Sequence, residues 1–127
     1  MKRVLIVKEG QWGSVKPEEY EEQIELYQRI LDEAKDYKGE KAAKVEVVAT
    51  AEKAEKIIKT APLNDKIDVV IFISRGMEWI AEKFAATYPR TRVIVFTGLI
   101  PEGKVIWLQK SATIGGETIR DIVLHSG

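Results

Sequence analysis

The apolar positions of this chain alternate between short β-branched runs and stretches in which apolar residues recur every three or four positions. Val4-Leu5-Ile6-Val7 is continuously apolar, the pattern of a strand covered on both faces. After a Gly-containing loop, Pro17 with Glu18 and Glu19 predicts a helix start: proline fits the first helical position, and acids suit the positive end of the helix dipole. Tyr20, Ile24, Tyr27, Leu31 and Ala34 then recur at steps of four and three, which places them on one helical face, and Gly39 is expected to end the helix. Val45 to Val48 reads as a second strand. Thr50 is placed to cap a helix whose inward stripe is Ala54, Ile57, Ile58 and Ala61, and Pro62 stops it. Ile67 to Ile73 is nearly all apolar and is expected to be a central strand. Met77, Ile80, Ala81 and Phe84 define the next helix, closed by Tyr88-Pro89. Val93 to Phe96 and Val105 to Leu108 predict the last two strands. A short final helix is expected from Gly115-Gly116-Glu117, with Ile119, Ile122 and Val123 inward.

Strands alternating with helices imply right-handed crossovers and a parallel sheet covered on both faces. The expected fold is a single α/β domain over residues 1–127, a three-layer, doubly wound, mostly parallel sheet of five strands. One step breaks the alternation. Only six residues, Gly98 to Gly103, separate Thr97 from Lys104, whereas a parallel crossover ordinarily takes a dozen or more. The fifth strand therefore either returns antiparallel through Pro101-Glu102-Gly103 or follows an extended segment in place of a helix, and length slightly favours the hairpin.

Composition narrows the chemistry. The 127 residues hold 20 Lys+Arg and 20 Asp+Glu, so the formal net charge is zero and there is no cationic excess to neutralise the phosphates of a nucleic acid. Hydrophobic residues at 45% and charged residues at 31% are globular proportions rather than those of a disordered chain. With no cysteine, thiol catalysis, disulfides and cysteine-ligated metals are excluded, and the lone His125 leaves no multi-histidine metal site and no internal Ser-His-Asp triad. The first apolar run is too short for a signal peptide, and charges interrupt the later ones well before the length of a membrane span. The expected setting is the cytoplasm, and the Lys- and Glu-rich, cysteine-free composition points weakly to a thermophile.

In an open α/β sheet, ligands bind beyond the carboxyl ends of the strands. Those ends supply Lys8 and Glu9, Ser74 and Arg75, and Thr97, a set suited to a small polar or anionic ligand; the plainer reading is a group of solvated loop residues. Gly115 and Gly116 could offer free backbone N–H groups to an anion at a helix start, or simply form a turn and cap. No catalytic base, nucleophile and orienting group can be read together, no metal site is expected and no cofactor is implied. Trp12, in a polar loop, is the expected exposed aromatic among the three tryptophans. With Leu99 and Ile100 it forms the candidate protein interface, which predicts a homodimer.

Assembled, the chain resembles the response-regulator receiver domain (CheY-like) over nearly its whole length. Lys2 to Val7 is similar to the receiver's first strand, Ala51 to Ile58 to its second helix, Asp68 to Ile73 to its third strand, Tyr88 to Gly98 to its fourth-strand region and Trp107-Leu108-Gln109-Lys110 to its fifth strand. The resemblance implies a flavodoxin-like fold and places Thr97 and Lys110 at the family's switch threonine and phosphate-binding lysine. It departs where the chemistry lies. Lys8-Glu9 stands where the family has a metal-binding acidic pair, Ile73-Ser74 stands where it has the phosphoacceptor aspartate, and the fourth helix is missing. The implied function is a non-catalytic signalling or protein-interaction module, a receiver unable to be phosphorylated. The alternative is a Rossmann-like nucleotide-sensing domain similar to the CARF family, whose Gly-Gly motif Thr113 to Glu117 loosely resembles and which accommodates a late antiparallel strand.

Overall fold

The computed structural model describes residues 2–9, 17–35, 38–73, 77–96 and 106–108 of the chain. Their element order is β1 (Lys2–Val7), α1 (Pro17–Glu33), β2 (Ala43–Val48), α2 (Ala51–Thr60), a single 3-10 turn at Leu63–Asp65, β3 (Val69–Phe72), α3 (Glu78–Thr87), β4 (Arg92–Phe96) and β5 (Ile106–Leu108). The strands lie in the order β2-β1-β3-β4-β5. A parallel four-stranded sheet, β2 to β4, carries the fold, and the three-residue β5 pairs along the outer side of β4.

The wholly apolar strands take the inner positions. β3 has four consecutive buried residues and lies between β1 and β4. Successive side chains of a strand face opposite ways, so the register turns each strand sequence into two rows. Leu5, Val70 and Val93 align across the sheet, as do Val7, Phe72 and Val95, and these rows pack beneath α2 and α3 with Ala54, Met77, Ala81 and Phe84. On the other face Ile6, Ile71 and Ile94 align, with Val4 and Val69 beside them, and Ile24 and Leu31 of α1 join that cluster. Phe72 meets Phe84 edge to face at 5.4 Å between ring centroids, the geometry that aromatic quadrupoles favour.

The helices fall on opposite faces because the chain reverses direction. It steps from β1 outward to β2, then back past β1 to β3. Right-handed crossovers in opposite directions must pass over opposite faces. The reversal falls between the adjacent strands β1 and β3, and this sets the place where a ligand crevice belongs.

Local sequence signals mark the helix ends. Thr50 caps α2, its Oγ1 accepting from the Lys53 backbone N–H at 3.2 Å, as its position predicts. The inward stripe of α2 is also as expected, with Ala54 fully buried and Ile57, Ile58 and Ala61 packed against the core. α1 stops earlier than the expected Gly39. It ends at Glu33, and Lys35 bridges antiparallel to Lys41 around a turn in which Gly39 has φ 80°, a conformation open to glycine without strain. Glycine here serves the turn after the helix rather than its cap.

The expected hairpin return of the fifth strand does not form. Ile94 pairs with Ile106, Val95 with Trp107 and Phe96 with Leu108, all in parallel. Nine residues lie between Phe96 and Ile106, and the ten Cα steps they make can reach roughly 33 Å, more than the length of a strand this short. The expected final helix at Gly115–Gly116 lies outside the described residues.

The amino edge of the sheet is tied by polar bonds. The Arg3 backbone N–H donates to Asp68 Oδ2 at 2.9 Å, and Arg3 Nη1 donates to the Asp65 carbonyl at 2.7 Å. The Arg92 N–H donates to the Asp68 carbonyl at 2.8 Å, and the buried Thr91 hydroxyl donates to the Ile67 carbonyl at 2.9 Å. Asp68 thus serves the end of β3 opposite to the one where a ligand crevice opens.

Truncating Phe72 to alanine is expected to cost about 3–5 kcal/mol, because it removes the central member of a buried row. Thr50→Ala, which removes one cap bond, is expected to cost about 1 kcal/mol. Urea unfolding of the two variants checks both the values and their order.

Candidate functional site

Parallel strands in this register bring the carboxyl ends of β1, β3 and β4 level with one another: Val7 pairs with Phe72, and Phe72 with Val95. The carboxyl end of β5 lies on the same edge, since Leu108 pairs with Phe96. Lys8 and Glu9 follow β1 directly at the β1/β3 reversal. Of the other residues the sequence singles out, Ser74, Arg75, Thr97, Lys110, Gly115 and Gly116 lie outside the described residues, as do the interface candidates Trp12, Leu99 and Ile100.

The two described site residues do not converge. The Lys8 backbone N–H continues the β1–β2 ladder by donating to the Val48 carbonyl at 3.0 Å, and its Nζ meets Glu21 Oε1 of α1 at 2.6 Å. Lys8 therefore lies on the α1 side, in an open groove of about 660 Å³ that also takes in Glu25, Glu46, Lys53 and Lys56. Glu9 lies on the other side. It borders a second groove, also about 660 Å³, between α2 and α3, lined by Glu52, Glu55, Lys59, Trp79 and Lys83 among others. Consecutive residues leaving a strand go to opposite faces of the sheet, and Lys8 and Glu9 do the same. Ile73, the last described residue after β3, is buried in the apolar cluster under α1. Among the described residues, no three His, Cys, Asp or Glu side chains stand together as a metal site would require. No helix there is long and apolar enough to cross a membrane.

The most distinctive electrostatics lie in the α2–α3 groove. Glu55 and Lys59, one helical turn apart, form an ion pair at 2.9 Å. The hydrogen bond from Lys59 holds the Glu55 carboxyl below its usual range and raises Lys59 in turn. Burial pushes the Tyr88 phenol above its ordinary range, and the nearby Glu55 charge adds to the shift. Tyr88 Oη is buried with no partner at hydrogen-bonding geometry among the described residues, while its ring packs edge to face on Phe84 at 5.7 Å.

Trp79 is the site residue that the sequence reading passed over in favour of Trp12. It is 68% exposed on α3. The signal was present: Met77, Ile80, Ala81 and Phe84 follow the inward helical spacing, and position 79 falls off that stripe.

Tyr88 carries a testable consequence. Its folded-state pKa is raised, so folding keeps a proton that the unfolded chain loses in alkali, and stability falls as pH rises through that range. Tyr88→Phe removes an unbonded buried hydroxyl and is expected to leave neutral-pH stability within about 0.5 kcal/mol of the parent or to raise it. It is also expected to flatten the alkaline decline. Urea midpoints across pH check this; a loss above about 1 kcal/mol at neutral pH would mean that the hydroxyl is bonded after all.

No family model matches this chain significantly, and no curated protein or solved structure does so either.

Proposed function

We propose that this chain is a non-catalytic, receiver-like interaction module that cannot be phosphorylated in the receiver manner. One observation carries the reading: positions 8 and 9 after β1 hold a single acid, and positions 73 and 74 after β3 hold none. An aspartyl phosphate requires a carboxylate nucleophile at the end of β3 and acids beside it to hold the metal. Residues 73 and 74 are Ile and Ser. Asp68, the acid next to β3, is committed to Arg3 at the opposite edge. Lys8 and Glu9, where the acidic pair would stand, part to opposite faces, and Lys8 is already paired with Glu21.

The strand order supports the receiver resemblance, because β2-β1-β3-β4-β5 with all pairs parallel is the flavodoxin-like order. A parallel β5 is compatible with the proposed carry-over of Thr97 and Lys110, both outside the described residues. An antiparallel β5 would have sent Lys110 to the far edge, whereas the carboxyl ends of β4 and β5 share one edge. The same pairing removes the late antiparallel strand that favoured a CARF-like nucleotide sensor. On this reading the module works through a protein partner in the cytoplasm, self-association included.

Incubation with acetyl phosphate and Mg²⁺, read by intact-mass spectrometry, is expected to give no phosphoryl adduct, and Mg²⁺ with beryllofluoride no rise in melting temperature. An adduct mapped to an acid in the crevice would overturn the proposal. So would saturable stabilisation by adenine nucleotides, which at a hundredfold excess over Kd would amount to about 2.7 kcal/mol.

A further inference from the structure

We infer that the α2–α3 face is a self-association surface on which two copies of this chain pack α2 against α2 in opposite directions about a two-fold axis. The inference rests on the reading of the chain as an interaction module and gives that module both a face and a partner. Glu52, Glu55, Lys56 and Lys59 recur at steps of three, one and three, so they form one stripe along α2. All four border the α2–α3 groove, on the side away from the buried Ala54.

The order of charge along the stripe is the key observation. Its amino-terminal half is acidic and its carboxyl-terminal half basic. A two-fold axis midway between Glu55 and Lys56 places Glu55 opposite the partner's Lys56 and Glu52 opposite the partner's Lys59. Each of the four stripe charges then faces an opposite charge across the axis, in addition to the Glu55–Lys59 pair within each helix, the self-complementarity that a two-fold interface requires. A parallel arrangement would set like against like. The zero formal net charge of the chain adds no repulsion between the copies.

Such a stripe supplies orientation more than affinity, since exposed ion pairs are individually weak. The affinity comes from Trp79. It borders the same groove, is exposed over two-thirds of its surface, and is of the residue type most enriched among interface anchors. Beside the stripe, Trp79 of each copy lies where it can cover the partner's α2–α3 groove. The face is built from residues other than Trp12, Leu99 and Ile100, which lie outside the described residues.

Sedimentation of the full chain at high micromolar concentration is expected to show a dimer. Trp79→Ala is expected to weaken it at least tenfold. The double reversals Glu52→Lys with Glu55→Lys, and Lys56→Glu with Lys59→Glu, are each expected to give a monomer, since each makes the stripe a single sign. Mixed in equal amounts, the two reversals are expected to form a heterodimer. Circular dichroism of each variant separates lost association from lost folding, and Trp79→Ala leaves the helix charges untouched if a reversal unfolds. A monomeric parent, a dimer indifferent to Trp79→Ala, or folded reversals that fail to pair when mixed would each overturn the inference. None of these outcomes introduces a phosphoacceptor, so the acetyl phosphate experiment judges the underlying module reading separately.

Discussion

A strand with no polar side chain is stable only where both of its faces are covered, and β3 imposes that condition on this molecule. Its four residues are buried, and Ile67 and Ile73 on either side of it are buried too. Such a strand needs a neighbour along each edge and cover on each face. β1 and β4 provide the edges, α2 and α3 cover one face, and α1 contributes to the other cluster. A right-handed chain satisfies this arrangement by reversing direction between β1 and β3, and that reversal opens the crevice in which related architectures place their chemistry.

The two ends of the sheet carry different polar groups. At the amino edge, Arg3, Asp68, Thr91 and Arg92 close the backbone of β1, β3 and β4 with direct hydrogen bonds. At the carboxyl edge, the two described residues beyond β1 diverge, one to an ion pair with α1 and the other to the α2–α3 groove. An acid at the amino end of β3 cannot serve the crevice, because the strand itself lies between them. Of the described residues that follow β1 and β3 at this edge, Lys8, Glu9 and Ile73, only Glu9 is an acid.

Much of the fold was legible in the residues. β-branched runs marked the strands, the three-and-four spacing marked the helices, and Thr50 announced its cap because a hydroxyl before a helical stripe has one natural use. The direction of β5 was not legible. A six-residue count says what a loop can reach but not which way the next strand runs, and the pairing with β4 depends on neighbours far along the chain. The end of α1 was misjudged for a related reason: Gly39 signals a positive φ, and a turn after the helix satisfies that as well as a cap does. At the site, sequence order placed Lys8 and Glu9 side by side, but strand geometry sends neighbours to opposite faces. Trp79 was readable from its position off the inward stripe, and the polar loop around Trp12 drew attention away from it.

On the proposed reading, the crevice between β1 and β3 neither holds a metal nor accepts a phosphoryl group. Titrating the ¹⁵N-labelled protein with Mg²⁺ and following its amide resonances tests this most directly. The account predicts only small, non-saturating shifts spread over the acidic surface, with Lys8, Glu9 and Ile73 unmoved. Saturable shifts centred on those three amides would contradict it.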